Sequence, residues 1–290
     1  MMNKDSKIAK KRISILGCGW LGMPLAKRLL AGDITSKING STTSKDKLDT
    51  LQEAHIQSYL LTLTPGFEAE KEYLQSFFDA DTLVISLPPR MSQNEPGHYL
   101  RQIEAVIAEI KSSPIREIIF FSSTSVYPDL NKVITENEVE EPHFSPQPEM
   151  VKAENMIASL RPDLDVCILR LAGLIGHNRI PGNYVKGKRD LSTGMLPVNY
   201  IHPDDAVNMI TTILQKGLYN ETFNIVAPLH PTRREVYDSN CTQFNWEAPT
   251  YSTPNPTPPY KIISGEKFSS YYSYQFQYPD PLLFKFQYNR

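Results

Sequence analysis

Arg12-Ile13-Ser14-Ile15-Leu16 is a short apolar strand that runs without interruption into Gly17-Cys18-Gly19-Trp20-Leu21-Gly22. G-x-G-x-x-G alone is a weak signal, but between a strand and a helix it is the dinucleotide-binding arrangement of a βα unit. Each glycine meets a different steric demand. Gly17 is placed for a tight turn off the strand, Gly19 for close approach of a pyrophosphate to the backbone, and Gly22 for close packing of the new helix on the sheet. From Trp20 to Leu30, Leu21, Leu25, Ala26, Leu29 and Leu30 recur at helical spacing. The N-terminal N–H groups of that helix, starting at Trp20 and Leu21, are expected to face the phosphates of the ligand.

Strand and helix signals go on alternating, which is the pattern of a parallel sheet. A short strand near Lys37–Asn39 leads to a helix that Ser44 is placed to cap, running to about His55 with Asp46 in its first turn. Ile56–Leu63 reads as a strand and Glu68–Phe78 as a helix. Thr82–Leu87 has the composition of a strand buried on both faces, and Pro88-Pro89 stops it. A helix over Gly97–Lys111, a strand over Glu117–Phe121, a helix over Glu149–Leu160 and a strand over Asp165–Leu171 follow. The expected fold is α/β, a doubly wound parallel sheet of Rossmann type over residues 1–175. From Ala172 onward the pattern is irregular, with a strand at Pro197–Ile201, a helix at Pro203–Lys216, a strand at Thr222–Val226 and a tail rich in proline and aromatics. Residues 176–290 read as a smaller C-terminal α+β substrate lobe, interleaved with the first through its late strands and forming the second wall of a cleft.

Composition narrows the function. The formal net charge of −2 over 290 residues gives no basic field for nucleic acid or an anionic membrane. Met1–Lys11 is polar and basic with no apolar core, so no signal peptide is expected there. No run approaches the roughly 18 apolar residues of a membrane span. Cys18, Cys167 and Cys241 are isolated, which argues against a disulfide framework or a zinc site and suits a reducing cytoplasm. The expected partner is a small molecule, with no metal.

The loops after the strands carry the rest. In Ile38-Asn39-Gly40-Ser41-Thr42-Thr43-Ser44-Lys45 there is no carboxylate to hold the 2′-hydroxyl of NAD; the first acid is Asp46. Ser41, Thr42, Ser44 and Lys45 suit a 2′-phosphate instead, which favours NADP over NAD. Leu87, Pro88 and Arg90 follow the fourth strand, where ribose and pyrophosphate would pass. Arg90 there can meet an anionic oxygen or remain a surface arginine. Ser122-Ser123-Thr124-Ser125 puts four hydroxyls at a strand end. They can donate to a substrate oxygen or form a Ser/Thr turn that satisfies its own backbone. His202-Pro203-Asp204-Asp205 reads as a helix start, with proline at the first position and acids at the positive end, in preference to a metal or acid–base cluster.

The glycine motif, Ser122–Tyr127, Leu169-Arg170-Leu171-Ala172-Gly173-Leu174-Ile175-Gly176, Val198–Asp205 and Phe223-Asn224-Ile225 together resemble the extended short-chain dehydrogenase/reductase pattern. Gly19–Leu25 and Gln277–Pro281 are similar to the YeeZ-type, NAD(P)-dependent epimerase/dehydratase-like members of that superfamily. The resemblance covers nearly the whole chain. It implies an NAD(P)-binding oxidoreductase or epimerase/dehydratase-type enzyme acting on a small substrate, such as a sugar or nucleotide derivative. It also implies roles for Ser122 near the cofactor, for Ser123 or Thr124 in polarising the reacting oxygen, and for Lys152 in holding the nicotinamide ribose. In one respect the chain departs from the pattern. The family's Y-x-x-x-K reads Pro148-Glu149-Met150-Val151-Lys152 here, so proline stands where the proton-transferring tyrosine is expected. Positioned acid–base catalysis is worth about 10²–10⁴-fold, and proline has no titratable group. Tyr127, Tyr99 and His98 are the nearest substitutes. The departure leaves a second reading open, a catalytically degenerate dinucleotide-binding redox sensor.

Overall fold

A computed structural model describes residues 10–89 and 95–288. The chain forms two compact units. The first comprises Met1–Phe121, Lys152–Ile168 and Ile213–Glu221, and the second Ser122–Val151, Leu169–Thr212 and Thr222–Arg290. In chain order the elements are β1 (Lys11–Leu16), α1 (Gly22–Ala31), β2 (Thr35–Thr42), α2 (Asp46–Glu53), β3 (Gln57–Leu60), α3 (Lys71–Phe78), β4 (Thr82–Ile85), α4 (His98–Lys111), β5 (Glu117–Ser123), β6 (Lys132–Ile134), α5 (Pro148–Ala158) and β7 (Asp165–Leu171). They continue with β8 (Gly173–Leu174), β9 (Tyr200–Ile201), α6 (Pro203–Lys216), β10 (Thr222–Ile225), α7 (Arg233–Phe244), β11 (Lys261–Ile263) and α8 (Glu266–Tyr272).

Seven strands form one parallel sheet in the order β10-β7-β5-β4-β1-β2-β3. The chain lays β2 and β3 outward from β1, then returns to place β4 on the other side of β1. The order therefore reverses between β1 and β4, and their C-terminal ends diverge to open a crevice. Alternation along the strands sends Leu16, Leu83, Ile85, Ile118, Phe120, Val166 and Ile168 to one face, where they pack with Phe77 and Phe78 of α3, Ile103 and Val106 of α4 and Ile157 of α5. All four residues of β4 are buried, as expected of a central parallel strand.

Several boundaries differ from the sequence reading, each for a packing reason. β2 runs on through Gly40, Ser41 and Thr42, which pair with Ser58, Tyr59 and Leu60 of β3. Glycine is a poor strand former, but a Cβ at Gly40 would come within 2.8 Å of Ile56 Cγ2 and 3.2 Å of Cys18 Sγ, so close packing overrides propensity here. β5 likewise extends through Ser122 and Ser123. Ser44 does not cap α2 through its side chain; that helix starts after Lys45 with no side-chain cap, and the Ser44 carbonyl accepts the Lys47 N–H.

In the second unit, β6 pairs in parallel with β11 and β8 with β9. Its tail is held by one carboxylate. Buried Asp205 of α6 accepts the Tyr274 hydroxyl at 2.7 Å, the Gln277 N–H at 2.9 Å and the Tyr278 N–H at 2.8 Å. His202 Nδ1 accepts the Asp204 N–H at the start of α6, and the Tyr278 ring lies 4.0 Å from the buried imidazole. Burial lowers the pKa of the His202 imidazole.

The glycine turn gives a stability prediction. Gly17 has φ +91°, and a Cβ there would lie 2.4 Å from the Ser86 carbonyl oxygen, whereas a Cβ at Gly19 would meet nothing within 4 Å. Gly17→Ala is expected to lower stability by at least about 2 kcal/mol, because left-handed strain and overlap add. Gly19→Ala is expected to leave it unchanged. Thermal unfolding of the two variants checks this.

Candidate functional site

The crevice outside β1 and β4 is a cleft of about 460 Å³ belonging to the first unit, within the size range of ligand pockets. The glycine loop forms its floor. The Gly17 N–H donates to Ser41 Oγ at 2.8 Å and the Cys18 N–H to the Ser41 carbonyl at 2.7 Å, so β2 fixes the turn. Gly22 packs α1 onto this loop; a Cβ there would stand 3.0 Å from the Gly17 carbonyl oxygen and 3.1 Å from Ile15 Cγ2. Gly19 is exposed, with open space where its side chain would be. A phosphate group can approach the backbone at that point, beside the N-terminus of α1.

Gly17, Gly19, Ser41, Thr42, Leu87 and Pro88 are brought together around this cleft. Trp20, Leu21, Gly22, Ser44 and Lys45 do not line it, and Leu21 and Gly22 are buried at the start of α1. Arg90 lies outside the described residues. The structure adds residues the sequence reading did not assign to the cofactor, Thr43 and Lys47 beside the end of β2, Ser86 after β4 and Gln102 from α4, and it places His98, named above as a substitute for the missing tyrosine, on the same cleft. Lys47 lies one helical step past the small-hydroxyl stretch in which a phosphate ligand was sought. Cys18 is buried at the back of the loop, and burial pushes its thiol up to about 12, so it stays protonated.

Ser122, Ser123 and Thr124 belong to the second unit. Ser122 is buried in β5, and Ser123 Oγ accepts the Ser125 N–H at 3.1 Å as a 3-10 turn begins over Thr124–Val126. The hydroxyl run is thus both strand end and turn. Ser123 and Thr124 line a cavity of about 330 Å³ with Asn199, Tyr200, Arg233 and Lys261. Lys152 belongs to the first unit, where it is exposed on α5 and lines neither cavity. Pro148 occupies the first position of α5, where its missing N–H costs the helix nothing.

The candidate substitute tyrosines are committed to structure. Tyr127 is fully buried; its hydroxyl donates to Asn224 Oδ1 at 2.7 Å and accepts from Arg170 at 2.8 Å. Burial pushes its pKa up to about 12. Arg170 also donates to the carbonyls of Glu136 and Val139, and Glu136 accepts the Asn224 N–H. Tyr99 is buried in the first unit, donates to the Leu87 carbonyl, and has its pKa raised by desolvation. Neither phenol is poised to exchange a proton near neutrality. His177, Asp204 and His202 put ligand-type atoms within 4.8 Å of one another, but these atoms are engaged in hydrogen bonds: His177 Nε2 with Asp204 Oδ1, and His202 Nδ1 with the Asp204 N–H.

Protein YeeZ of Escherichia coli (strain K12) is 35% identical over 273 residues, which are 94% of this chain and 98% of that protein. The chain belongs to the YeeZ family. No family model matches it. Among solved structures, a short-chain dehydrogenase/reductase superfamily protein from Agrobacterium tumefaciens with bound NAD superposes with a TM-score of 0.73 at 14% identity, covering 94% of both chains. The ADP-L-glycero-D-manno-heptose-6-epimerase of Helicobacter pylori gives 0.73 at 12% identity over 97% of both chains. At these identities the likeness to both is one of fold. No helix among the described residues is long and apolar enough to cross a membrane.

Tyr127→Phe separates a structural phenol from a catalytic one. The change removes the donor to Asn224 Oδ1 and an acceptor of Arg170 from a buried network, at a cost of about 1–3 kcal/mol. The expected result is a lower unfolding temperature with unchanged dinucleotide affinity, read by calorimetry and by titration.

Proposed function

We propose that this chain binds a nicotinamide dinucleotide along the cleft outside β1 and β4, preferring NADPH to NADH, and acts as an oxidoreductase or epimerase/dehydratase-type enzyme on a small substrate. The observation that carries the reading is the glycine turn at a strand-order reversal: Gly17 in a left-handed conformation and tied to Ser41, with Gly19 open to a ligand. The NAD bound by the Agrobacterium tumefaciens neighbour supports it. When bound, the nicotinamide supplies hydride transfer. The chain's own groups supply the rest. The N–H groups around Gly19 and α1 receive the pyrophosphate, and Thr42, Thr43 and Lys47 meet the 2′-phosphate, with Lys45 nearby in sequence. The resemblance to the superfamily supports Ser123 and Thr124 as donors to the reacting oxygen, Lys152 as a ribose ligand and residues 176–290 as most of the substrate lobe. These roles and the cytoplasmic setting are our reading of the chain.

A second reading has its own observation. Pro148 is the first residue of α5 where the superfamily places its proton-transferring tyrosine, which suits a dinucleotide-dependent redox sensor. Pro148→Tyr tests it. A gain of tenfold or more in NADPH turnover with a reducible carbonyl compound favours the enzyme with an incomplete proton relay, and no gain favours the sensor.

Cofactor preference is tested at the lysines. Lys47→Glu should weaken NADPH by at least about tenfold while changing NADH little, because a charge-assisted contact is worth about 1.5–3 kcal/mol. Lys45→Glu should have the smaller effect of a solvated charge. Equal losses for both cofactors in a fluorescence titration would remove the 2′-phosphate contact from the account.

A further inference from the structure

His177, His202 and Asp204 bring two imidazoles and a carboxylate to one point of the second unit, with a ligand-type atom of each within 4.8 Å of the others. It is the one such group among the described residues. In the sequence, His202 and Asp204 are only the start of α6. The turn after β8 adds His177, which no local spacing connects to them. His177 Nε2 lies 2.8 Å from Asp204 Oδ1, and His202 Nδ1 lies 3.5 Å from Asp204 Oδ2.

The second distance is the informative one. His202 Nδ1 accepts the Asp204 N–H at 3.2 Å, so that nitrogen bears no proton of its own. Asp204 Oδ2 makes no hydrogen bond with any described residue. Two lone-pair atoms therefore face one another, and a cation satisfies both. The spacing suits one: with metal–ligand bonds of about 2.0–2.1 Å, the ligand atoms of a tetrahedral site stand about 3.4 Å apart. His177 needs to retreat by only about half an ångström to join them. His202 is oriented from behind, with Nε2 facing the Lys285 carbonyl at 3.5 Å, the kind of partner that fixes a metal-bound imidazole. Gly176 makes room for the ring, since a Cβ there would come within 2.6 Å of Nε2. The positive end of α6 works against a cation, and Asp204 and Asp205 in its first turn offset that field. The side chains of His177 and Asp204 are 42% and 39% exposed, which gives an ion a way in and leaves water a coordination position.

We propose that His177 Nε2, His202 Nδ1 and an Asp204 carboxylate oxygen form a binding site for a divalent metal ion of the zinc class, with water completing the shell. Two imidazoles and one carboxylate are a donor set for such an ion, whereas magnesium and calcium take oxygen ligands. Binding exchanges the contact between the Asp204 N–H and His202 for a metal bond, and His177 takes the tautomer with its proton on Nδ1. The ion has a structural role. It joins the turn after β8 to the start of α6, and through His177 it reaches the tail. The His177 N–H donates to the Lys285 carbonyl at 3.1 Å, and its carbonyl accepts the Gln287 N–H at 2.8 Å. The site is thus a second fastening of the tail, beside the one made by Asp205, and it is independent of the dinucleotide reading.

The test is calorimetric titration of the chelator-treated full chain with zinc chloride and, for comparison, magnesium chloride, on the unaltered protein, His177→Ala, Asp204→Asn and His143→Ala. His143 is an exposed histidine outside the group. Zinc should bind the unaltered protein and His143→Ala equally, and at least about tenfold more weakly in His177→Ala and Asp204→Asn, because even an outer-shell partner is worth about 10–100-fold in metal affinity. Zinc should also raise the unfolding temperature of the unaltered protein and not that of His177→Ala, while magnesium raises neither. Absence of zinc binding, or equal affinity in His177→Ala and the unaltered protein, overturns the proposal. If Asp204→Asn does not fold, His177→Ala decides, since its side chain is partly exposed. Slower amide exchange at Gln287 with zinc bound checks the fastening of the tail, and unchanged exchange there overturns that role.

Discussion

The hydrogen bond from the Gly17 N–H to the Ser41 hydroxyl, with its companion from Cys18 to the Ser41 carbonyl, sets the shape on which the first unit's cleft depends. A chain leaving a buried parallel strand must reverse sharply to begin a helix over the sheet. Gly17 does so in a left-handed conformation with the Ser86 carbonyl where a side chain would stand. Ser41 holds that conformation from the next strand, so the turn is braced by β2 and confined by the end of β4. The backbone around Gly19 is thereby left open at the place where the strand order reverses.

The second unit is organised around buried polar groups. Arg170 in β7 is satisfied by the Tyr127 hydroxyl and two carbonyls, Tyr127 by Asn224, and the Asn224 N–H by Glu136. A network of this kind is favourable only when every member is paired, because in a low-dielectric interior an unpaired member costs more than it would in water. Asp205 does the same for the tail, gathering three donors from Tyr274, Gln277 and Tyr278. The second cluster fixes a tail segment, 274–278, that carries no regular secondary structure.

Much of the fold was legible in the sequence because hydrophobic periodicity and glycine spacing are local signals. β7 and α6 were bounded as observed, and the glycine turn was placed residue by residue. Legibility failed where long-range packing decided the outcome. Gly40-Ser41-Thr42 reads as a loop, yet it is strand because β3 pairs with it. Ser41, sought as a phosphate ligand, has its hydroxyl engaged by the Gly17 N–H. Lys47 and Arg233 were missed because each looks like a solvated charge until a cavity is seen beside it. For α7 a signal did exist: Thr232-Arg233-Arg234-Glu235 is a capping box. It was overshadowed because the helix after it is mostly polar, with Val236, Asn240 and Cys241 buried, and shows little apolar periodicity. β6 and β11 are three residues each and pair only with one another, so neither had a long apolar run to announce it.

In the proposed complex a dinucleotide lies along the crevice between β1 and β4. Amide hydrogen exchange with and without saturating NADPH is the decisive measurement. Slowed exchange is expected over residues 17–22, 41–47 and 86–88. No change at those segments, or protection confined to other parts of the chain, would contradict it.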